Sequence, residues 1–306
     1  MTASNPLADL TAAARAVAAA AAPATVAIGR HGRGTGVVVA PDRVLTNAHN
    51  LRDRTTQVTF ADGRAVQGRV VGTDPDHDLV VLEVETADVT PLAWSDQVLA
   101  EGDAVFAAAR GTRGHRVTFG LVSSADRAFR GPRGRRVKGA VEHTAPLARG
   151  SSGGPLLDAD GRIVAINTHR LGEGFYLAQP ADEQLRGRVD QLVSGQHLGG
   201  RRLGVAIVGP DETARLRRKV GLPEQAGLLV AGVAEGSPAA DAGLGEGDLV
   251  VAVGGTPVSG VDDVWDALDQ AGDEVTLDVV RGTEARTVTV SFAAPEPGPE
   301  DADLSA

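Results

Sequence analysis

Near its middle the chain reads Gly150-Ser151-Ser152-Gly153-Gly154-Pro155-Leu156, which places a serine hydroxyl between glycines. Because glycine has no side chain, the backbone of such a turn can approach a substrate closely and donate hydrogen bonds to it. A serine hydroxyl alone is a poor nucleophile, because its proton must be removed as it attacks. The segment therefore indicates catalysis only if a base lies nearby, and otherwise marks an ordinary turn.

Two earlier segments offer that base and a carboxylate to orient it. Histidine ends the run Val44-Leu45-Thr46-Asn47-Ala48-His49, and aspartate opens the run Asp78-Leu79-Val80-Val81-Leu82. A lone histidine after a strand is more often a core or surface residue, and a lone aspartate in a turn is more often a cap. It is the joint order of histidine, aspartate and serine that indicates a catalytic triad.

These motifs, together with Gly34-Thr35-Gly36-Val37-Val38-Val39, resemble the chymotrypsin-like serine proteases, and within them the HtrA/Deg family. The resemblance implies that Ser152 attacks the scissile carbonyl, that His49 takes its proton, and that Asp78 holds the imidazole. It also implies an oxyanion hole formed by the backbone amides of Gly150 and Ser152. No metal or cofactor is required, because every reacting group belongs to the protein.

The same resemblance assigns a pocket for the side chain that precedes the cut bond. Its predicted lining consists of Pro146, Gly174, Phe175 and Tyr176. Pro146 lies six residues before the nucleophile, the position at the base of this pocket in trypsin-like enzymes. An uncharged residue there implies an apolar pocket with no preference for arginine or lysine. His77, next to the proposed aspartate, is expected to point the other way.

Composition and patterning predict a mainly β protein. Apolar residues make up 42% of the chain and aromatic residues only 3%, so its cores must be largely aliphatic. Short β-rich segments separated by turn signals extend from residue 25 to residue 167, which favours an antiparallel barrel or sandwich. The resemblance implies a chymotrypsin-like double β-barrel protease domain over residues 25–196. Residues 1–24 are expected to form an alanine-rich helix.

A second unit is predicted over residues 199–292. Its signature is Gly236-Ser237-Pro238-Ala239-Ala240-Asp241-Ala242-Gly243, followed by an amphipathic helix at Val261–Gln270 and a final pair of strands. This pattern resembles the PDZ domain that follows the protease in HtrA-like chains. Such a domain adds an extended peptide to a sheet edge and captures its terminal carboxylate. The resemblance assigns peptide binding to Arg202, Leu203, Gly204, Val205, Ile207, Val264 and Leu268.

Charge is distributed unevenly along the chain. The formal net charge is -10, and residues 222–306 carry 17 acidic but only 2 basic residues. This balance argues against a protein that binds nucleic acid over its whole surface, and no nucleic-acid partner is expected. Residues 127–138 nevertheless carry six positive charges, which fit either a solvated hairpin loop or a polyanion-binding segment. The acidic, proline-rich tail at 293–306 is expected to be disordered.

The absence of cysteine excludes a disulfide framework and thiolate metal sites. The N-terminal apolar run relies on alanine and contains Arg15, so it resembles neither a signal peptide nor a membrane span. We therefore expect a cytoplasmic protein, with export, which is usual for the family, as the alternative.

The predicted function is that of a serine endopeptidase for protein quality control. It would cleave unfolded or tail-exposing polypeptides after apolar residues, while the PDZ domain binds peptide. The resemblance also implies a homotrimer. Two alternatives stay open: a peptide-binding or chaperone-like scaffold whose protease site is inactive or switchable, and an electrostatic module that binds polyanions through residues 127–138.

Overall fold

The computed structural model describes residues 5–52, 54–131 and 134–292. The chain divides into two compact units, the first ending at Gly199 and the second beginning at Gly200. The predicted tail at 293–306 and two residues of the basic segment, Pro132 and Arg133, lie outside the described residues. Within the described ranges, no helix combines the length and the apolarity needed to cross a membrane.

The first unit contains two closed six-stranded barrels with antiparallel pairing. The first barrel is built from β1 (Thr25–Ile28), β2 (Gly34–Ala40), β3 (Arg43–Asn47), β4 (Thr55–Thr59), β5 (Ala65–Asp74) and β6 (Leu79–Glu83). The second is built from β7 (Ala104–Gly111), β8 (Gly114–Arg130), β9 (Arg136–His143), β10 (Pro155–Leu157), β11 (Ile163–Gly172) and β12 (Phe175–Pro180). Pairing of β1 with β4 closes the first barrel, and pairing of β10 with β7 closes the second.

The strands at the centre of this unit are buried on both faces. Strand β6 and the start of β2 show continuous burial rather than the alternation of a sheet with one solvated face. One hydrophobic core extends across both barrels, joining Val44 and Leu82 of the first with Phe106 and Ile166 of the second. The barrels are therefore packed tightly enough to hold catalytic groups contributed by each.

In the described part of this unit, two α-helices cover the barrels. Helix α1 (Pro6–Ala24) buries Val17, Ala21 and Ala24 against the shared core, and α2 (Glu183–Val193) buries Leu185, Val189 and Leu192. Residues 17, 21 and 24 fall on one face because they are spaced by four and three positions.

Over residues 200–292, the part that the structure describes, the second unit is a six-stranded sheet with three helices. Its strands are β13 (Val205–Val208), β14 (Leu228–Val233), β15 (Asp248–Val253), β16 (Thr256–Pro257), β17 (Glu274–Arg281) and β18 (Glu284–Ser291). The sheet order is β13-β14-β15-β17-β18, with β16 paired to β15. The helices are α3 (Pro210–Lys219), α4 (Pro238–Asp241) and α5 (Val261–Gln270). The predicted fold class, a mainly β double barrel followed by a smaller β unit, is confirmed.

Candidate active site

His49 and Asp78 meet where two neighbouring strands of the first barrel begin and end. Strands β3 and β6 are antiparallel with Asn47 opposite Leu79, so the residues just beyond that pair lie side by side. His49 Nδ1 lies 2.6 Å from Asp78 Oδ2, and the His49 backbone amide donates to Asp78 Oδ1 at 2.9 Å. The carboxylate thus fixes both the ring and the backbone of His49.

The Asp78 carboxylate is fully buried, so it depends on donors from the protein. Besides the two groups of His49, it accepts the Thr168 hydroxyl at 3.3 Å. The Asp78 backbone carbonyl accepts the Ala48 amide at 3.0 Å and the Asn47 side-chain amide at 2.9 Å. These bonds hold Asp78 in the left-handed region, at φ 58°.

Ser152 comes from the second barrel, on the loop between β9 and β10. Its backbone carbonyl accepts the Thr35 amide and the Asn50 side-chain amide, each at 2.9 Å, which binds this loop to the first barrel. The Ser152 hydroxyl donates to the Thr168 carbonyl at 3.0 Å. Within the described ranges the hydroxyl forms no hydrogen bond to His49. It must therefore change its hydrogen-bond acceptor from the Thr168 carbonyl to His49 before it can lose its proton.

The backbone before Ser152 presents amides to the site. Gly150 has φ 84°, and its carbonyl accepts the Thr35 hydroxyl at 2.8 Å. A Cβ at Gly150 would lie 2.5 Å from the Gly32 carbonyl oxygen, so glycine is required there. The amides of Gly150 and Ser152 donate to no group among the described residues, which leaves both free for a negatively charged oxygen.

His169 is a neighbour of the triad that the sequence motifs did not indicate. Its ring centroid lies 6.1 Å from that of His49 and 4.8 Å from that of Phe129. Burial lowers the pKa of His169 below its usual value; Asp78 acts in the opposite direction and His49 in the same one. His169 lies on β11. The sequence around it shows only the alternation of side chains that is typical of a β-strand, which does not mark a site residue.

A cavity of about 240 Å³ flanks Ser152 on the side of β11 and β12. We call it the acyl-side cavity; it is lined by residues 147–152, 167–170 and 176. Of the four residues predicted for the substrate pocket, only Tyr176 lies in this lining.

The other three residues, Pro146, Gly174 and Phe175, lie outside this lining. Pro146 is exposed, and its neighbour Leu147 lines the cavity. Glu173 and Gly174, both with positive φ, form the tight turn between β11 and β12, so Gly174 and the adjoining Phe175 face solvent rather than the cavity.

Arg170 spans the acyl-side cavity and was also not predicted. Its guanidinium carbon lies 5.5 Å from the centroid of the Tyr176 ring, and its Nη2 donates to the Leu147 carbonyl. Because Tyr176 and Leu147 belong to different walls of the cavity, this side chain restricts the space for substrate.

Two other predicted features take different partners. His77 Nδ1 lies 3.0 Å from Asp74 Oδ2, so its ring pairs away from the triad. In the basic segment, Arg127 pairs with Glu142 at 2.9 Å and Arg130 donates to the Gly134 carbonyl at 2.8 Å. Part of that positive charge is therefore used inside the hairpin.

The residues predicted to bind peptide in the second unit fall into two groups. Leu203, Val264 and Leu268 are buried together in the core of the unit. Val205 and Ile207 are half-buried on β13, the edge strand of the sheet, which has one side free to pair with another strand.

The turn before β13 contains the two remaining predicted residues. Gly204 has φ 79°, and a Cβ there would collide with the Ser237 side chain. Arg202 is exposed beside it.

Family models match both units. A trypsin-like peptidase domain matches residues 34–166, and a PDZ domain matches residues 229–281. Among solved structures, the HtrA-type protease AlgW with tripeptide is 26% identical and superposes with a TM-score of 0.60. That superposition covers 90% of this chain and 95% of the AlgW chain.

Curated relatives agree with both matches. The putative serine protease HhoB of Synechocystis is 32% identical, covering 88% of this chain and 68% of its own. Protease Do-like 1, chloroplastic, of Arabidopsis thaliana is 32% identical, with coverages of 88% and 65%. A probable periplasmic serine endoprotease DegP-like of Pseudomonas fluorescens is 31% identical, with coverages of 89% and 58%. The names of the last two do not support the cytoplasmic expectation. The chain belongs to the HtrA/Deg family of serine proteases, in which a trypsin-like peptidase domain precedes a PDZ domain.

Proposed function

We propose that this serine endopeptidase cleaves unfolded or tail-exposing polypeptides after apolar residues and acts in protein quality control. Ser152 is the nucleophile, His49 the general base and then the general acid, and Asp78 the residue that orients the imidazole. The amides of Gly150 and Ser152 stabilise the oxyanion. The observation that carries this proposal is the 2.6 Å contact between His49 and a fully buried Asp78, beside a serine on a loop with two free amides.

The acyl-side cavity supports the proposed apolar specificity. Leu147, Ala148 and Tyr176 contribute apolar surface, and the lining contains no carboxylate to attract a basic side chain. Arg170 reduces the available space and adds positive charge, which further disfavours arginine and lysine.

The proposed role of the PDZ domain is to hold a substrate tail. The edge strand β13 offers backbone groups for strand addition, and the exposed Arg202 lies at the turn where a terminal carboxylate would bind. We include the homotrimer in the proposal, for which sedimentation would give three times the chain mass of 31.3 kDa. We also propose a location outside the cytoplasm, on the strength of the periplasmic and chloroplastic relatives. Fractionation of cells that produce the protein tests that location.

The experiment that tests the proposed activity is digestion of an unfolded protein such as casein. We expect fragments from the wild type and none from Ser152→Ala. Ser194→Ala, which removes an exposed hydroxyl at the end of α2, should digest at the wild-type rate. If the wild type leaves casein intact even with C-terminal peptides added, the peptide-binding scaffold is the better function.

A further inference from the structure

A second cavity, of about 470 Å³, lies against the loop that carries Gly150. We call it the leaving-side cavity. Three segments form it: the turn between β1 and β2 at residues 31–33, the β7–β8 hairpin at residues 109–114 with Arg116, and residues 148–151. A Cβ atom added to Gly32 would contact Thr112, and one added to Gly150 would contact Gly32. The three segments are therefore packed against one another.

The charge of this cavity is entirely of one sign. Its lining contains no aspartate or glutamate, and its titratable residues are His31, Arg33, Arg110, Arg113, Arg116 and Arg149. Arg110 is buried and structural, since it donates to the carbonyls of Ala22 and Thr25 at 2.7 and 2.6 Å. The side chains of Arg113, Arg116 and Arg149 are exposed, and none forms an ion pair with a carboxylate of the described residues.

The two cavities lie on opposite flanks of the loop that carries the nucleophile. Residues 148–151 line both, whereas Ser152 and β11 line only the acyl-side cavity, and the turn at residues 31–33 lines only the leaving-side cavity. A substrate whose carbonyl oxygen meets the Gly150 and Ser152 amides, and whose preceding side chain enters the acyl-side cavity, continues past this loop. The residues after the cut bond then lie over the arginines.

We propose that the leaving-side cavity binds acidic side chains, so that the enzyme prefers aspartate or glutamate at the first positions after the cut bond. This inference rests on the proposed function and deepens it by naming a substrate class. A guanidinium group binds a carboxylate through two parallel hydrogen bonds, which gives both charge complementarity and geometry. The residues after the cut bond belong to the product that leaves with the new amino terminus. Their contact with the arginines therefore affects substrate recognition before acylation.

The test uses a cleavage site taken from the protein's own products. Cut sites in unfolded casein are mapped by mass spectrometry, and one that is cut well is made as an internally quenched peptide. The two residues after the cut bond are set to Ala-Ala, Asp-Asp or Lys-Lys. At low salt we expect kcat/KM to be about tenfold higher for Asp-Asp than for Ala-Ala, and lowest for Lys-Lys.

Two measurements assign the preference to this cavity. The double variant Arg113→Gln with Arg116→Gln should reduce the Asp-Asp to Ala-Ala ratio to about one, whereas Arg162→Gln, an exposed arginine outside the cavity, should keep it. In the wild type the ratio should also fall as sodium chloride is raised, because salt screens exposed charges.

Equal rates for the three peptides would overturn the proposal while leaving the protease function intact. An acidic preference that survives the double variant at its full wild-type size would overturn the assignment to this cavity. If the wild type cuts neither casein nor any peptide, the proposed function fails, and the inference fails with it.

Discussion

His49 uses its two ring nitrogens for different tasks. Nδ1 faces Asp78 at 2.6 Å, so in the neutral ring the proton resides there and Nε2 is left as the acceptor. The His49 backbone amide is bound to the same carboxylate, which restricts the ring further. The tautomer needed for a general base is thus set by Asp78 before substrate arrives.

Replacing Asp78 with asparagine tests its role in orienting the His49 ring, because the other groups of the site stay in place. The amide donates to Nδ1 and favours the wrong tautomer, so we expect kcat to fall by about 10³- to 10⁴-fold. Asp88→Asn removes an exposed carboxylate in the segment that follows β6 and should have no effect. Steady-state kinetics on a quenched peptide measures both variants; equal rates for Asp78→Asn and wild type would contradict the role given to Asp78.

Arg170 is expected to set the size of the acyl-side cavity. In Arg170→Ala the guanidinium no longer spans from Tyr176 to the Leu147 carbonyl, so larger side chains should fit. We expect the kcat/KM ratio for Phe over Ala before the cut bond to rise about tenfold. Arg162→Ala serves as the matched control, and an unchanged ratio in Arg170→Ala would show that Arg170 does not restrict the cavity.

The three residues proposed as the triad stand out in the sequence, but several of their neighbours in the structure do not. The order of histidine, aspartate and serine follows from local motifs, each of which marks one end of a strand. Thr168, His169 and Arg170 reach the site because the β11–β12 register shifts between Asn167 and His169, which no local motif encodes. Pro146 was assigned by counting residues back from Ser152, whereas the structure places it exposed and outside the lining of the acyl-side cavity.

At the scale of elements, a hydrogen bond of His143 connects β9 to β11 in the second barrel. It is fully buried, and its Nε2 lies 2.9 Å from Asn167 Oδ1. The Asn167 amide nitrogen already donates to the Gly154 carbonyl, so Oδ1 accepts and His143 Nε2 carries the proton. Burial lowers the pKa of His143 to about 4, although the bond to Asn167 acts in the opposite direction.

This pKa predicts acid sensitivity. Between pH 6.5 and about 4 the unfolded chain binds a proton at His143 that the folded chain excludes, so stability falls as pH falls through that window. The loss at this one residue is on the order of 3 kcal/mol.

His143→Gln keeps a donor for Asn167 but cannot be protonated. We expect its unfolding free energy to change less between pH 7 and pH 4.5 than that of the wild type, measured by urea titration at each pH. Identical changes in the two proteins would show that His143 does not contribute to the acid sensitivity.

Elements differ in how clearly the sequence marks them. Helix α5 was predicted because its apolar residues recur on one face, and Val264 and Leu268 are indeed buried. Helix α3 was missed, although proline at its start, acidic residues in its first turn and basic residues in its last turn are helix signals. Its sequence is hydrophilic, and only Thr213 and Arg217 are buried. It therefore lacks the periodic apolar residues from which an amphipathic helix is predicted.

For the whole molecule, the two units should be separable in function. Gly204→Val forces a β-branched residue into φ 79° and against Ser237, which distorts the turn before β13. Gly272→Val lies in open space without positive φ and is the control.

We expect Gly204→Val to weaken binding of a peptide with a free C-terminal carboxylate at least tenfold, measured by fluorescence anisotropy. Labelling of Ser152 in the first unit should be unchanged. Wild-type peptide affinity in Gly204→Val would exclude this turn as the carboxylate site.

The most direct test of the central claim is the rate at which a fluorophosphonate probe labels the intact protein, with the modified residue located by mass spectrometry. The account predicts a single modified residue, Ser152, and a labelling rate at least 10³-fold lower in His49→Ala. Labelling of His49→Ala at the wild-type rate, or modification of the wild type at another residue, would contradict a nucleophile activated by His49 and Asp78.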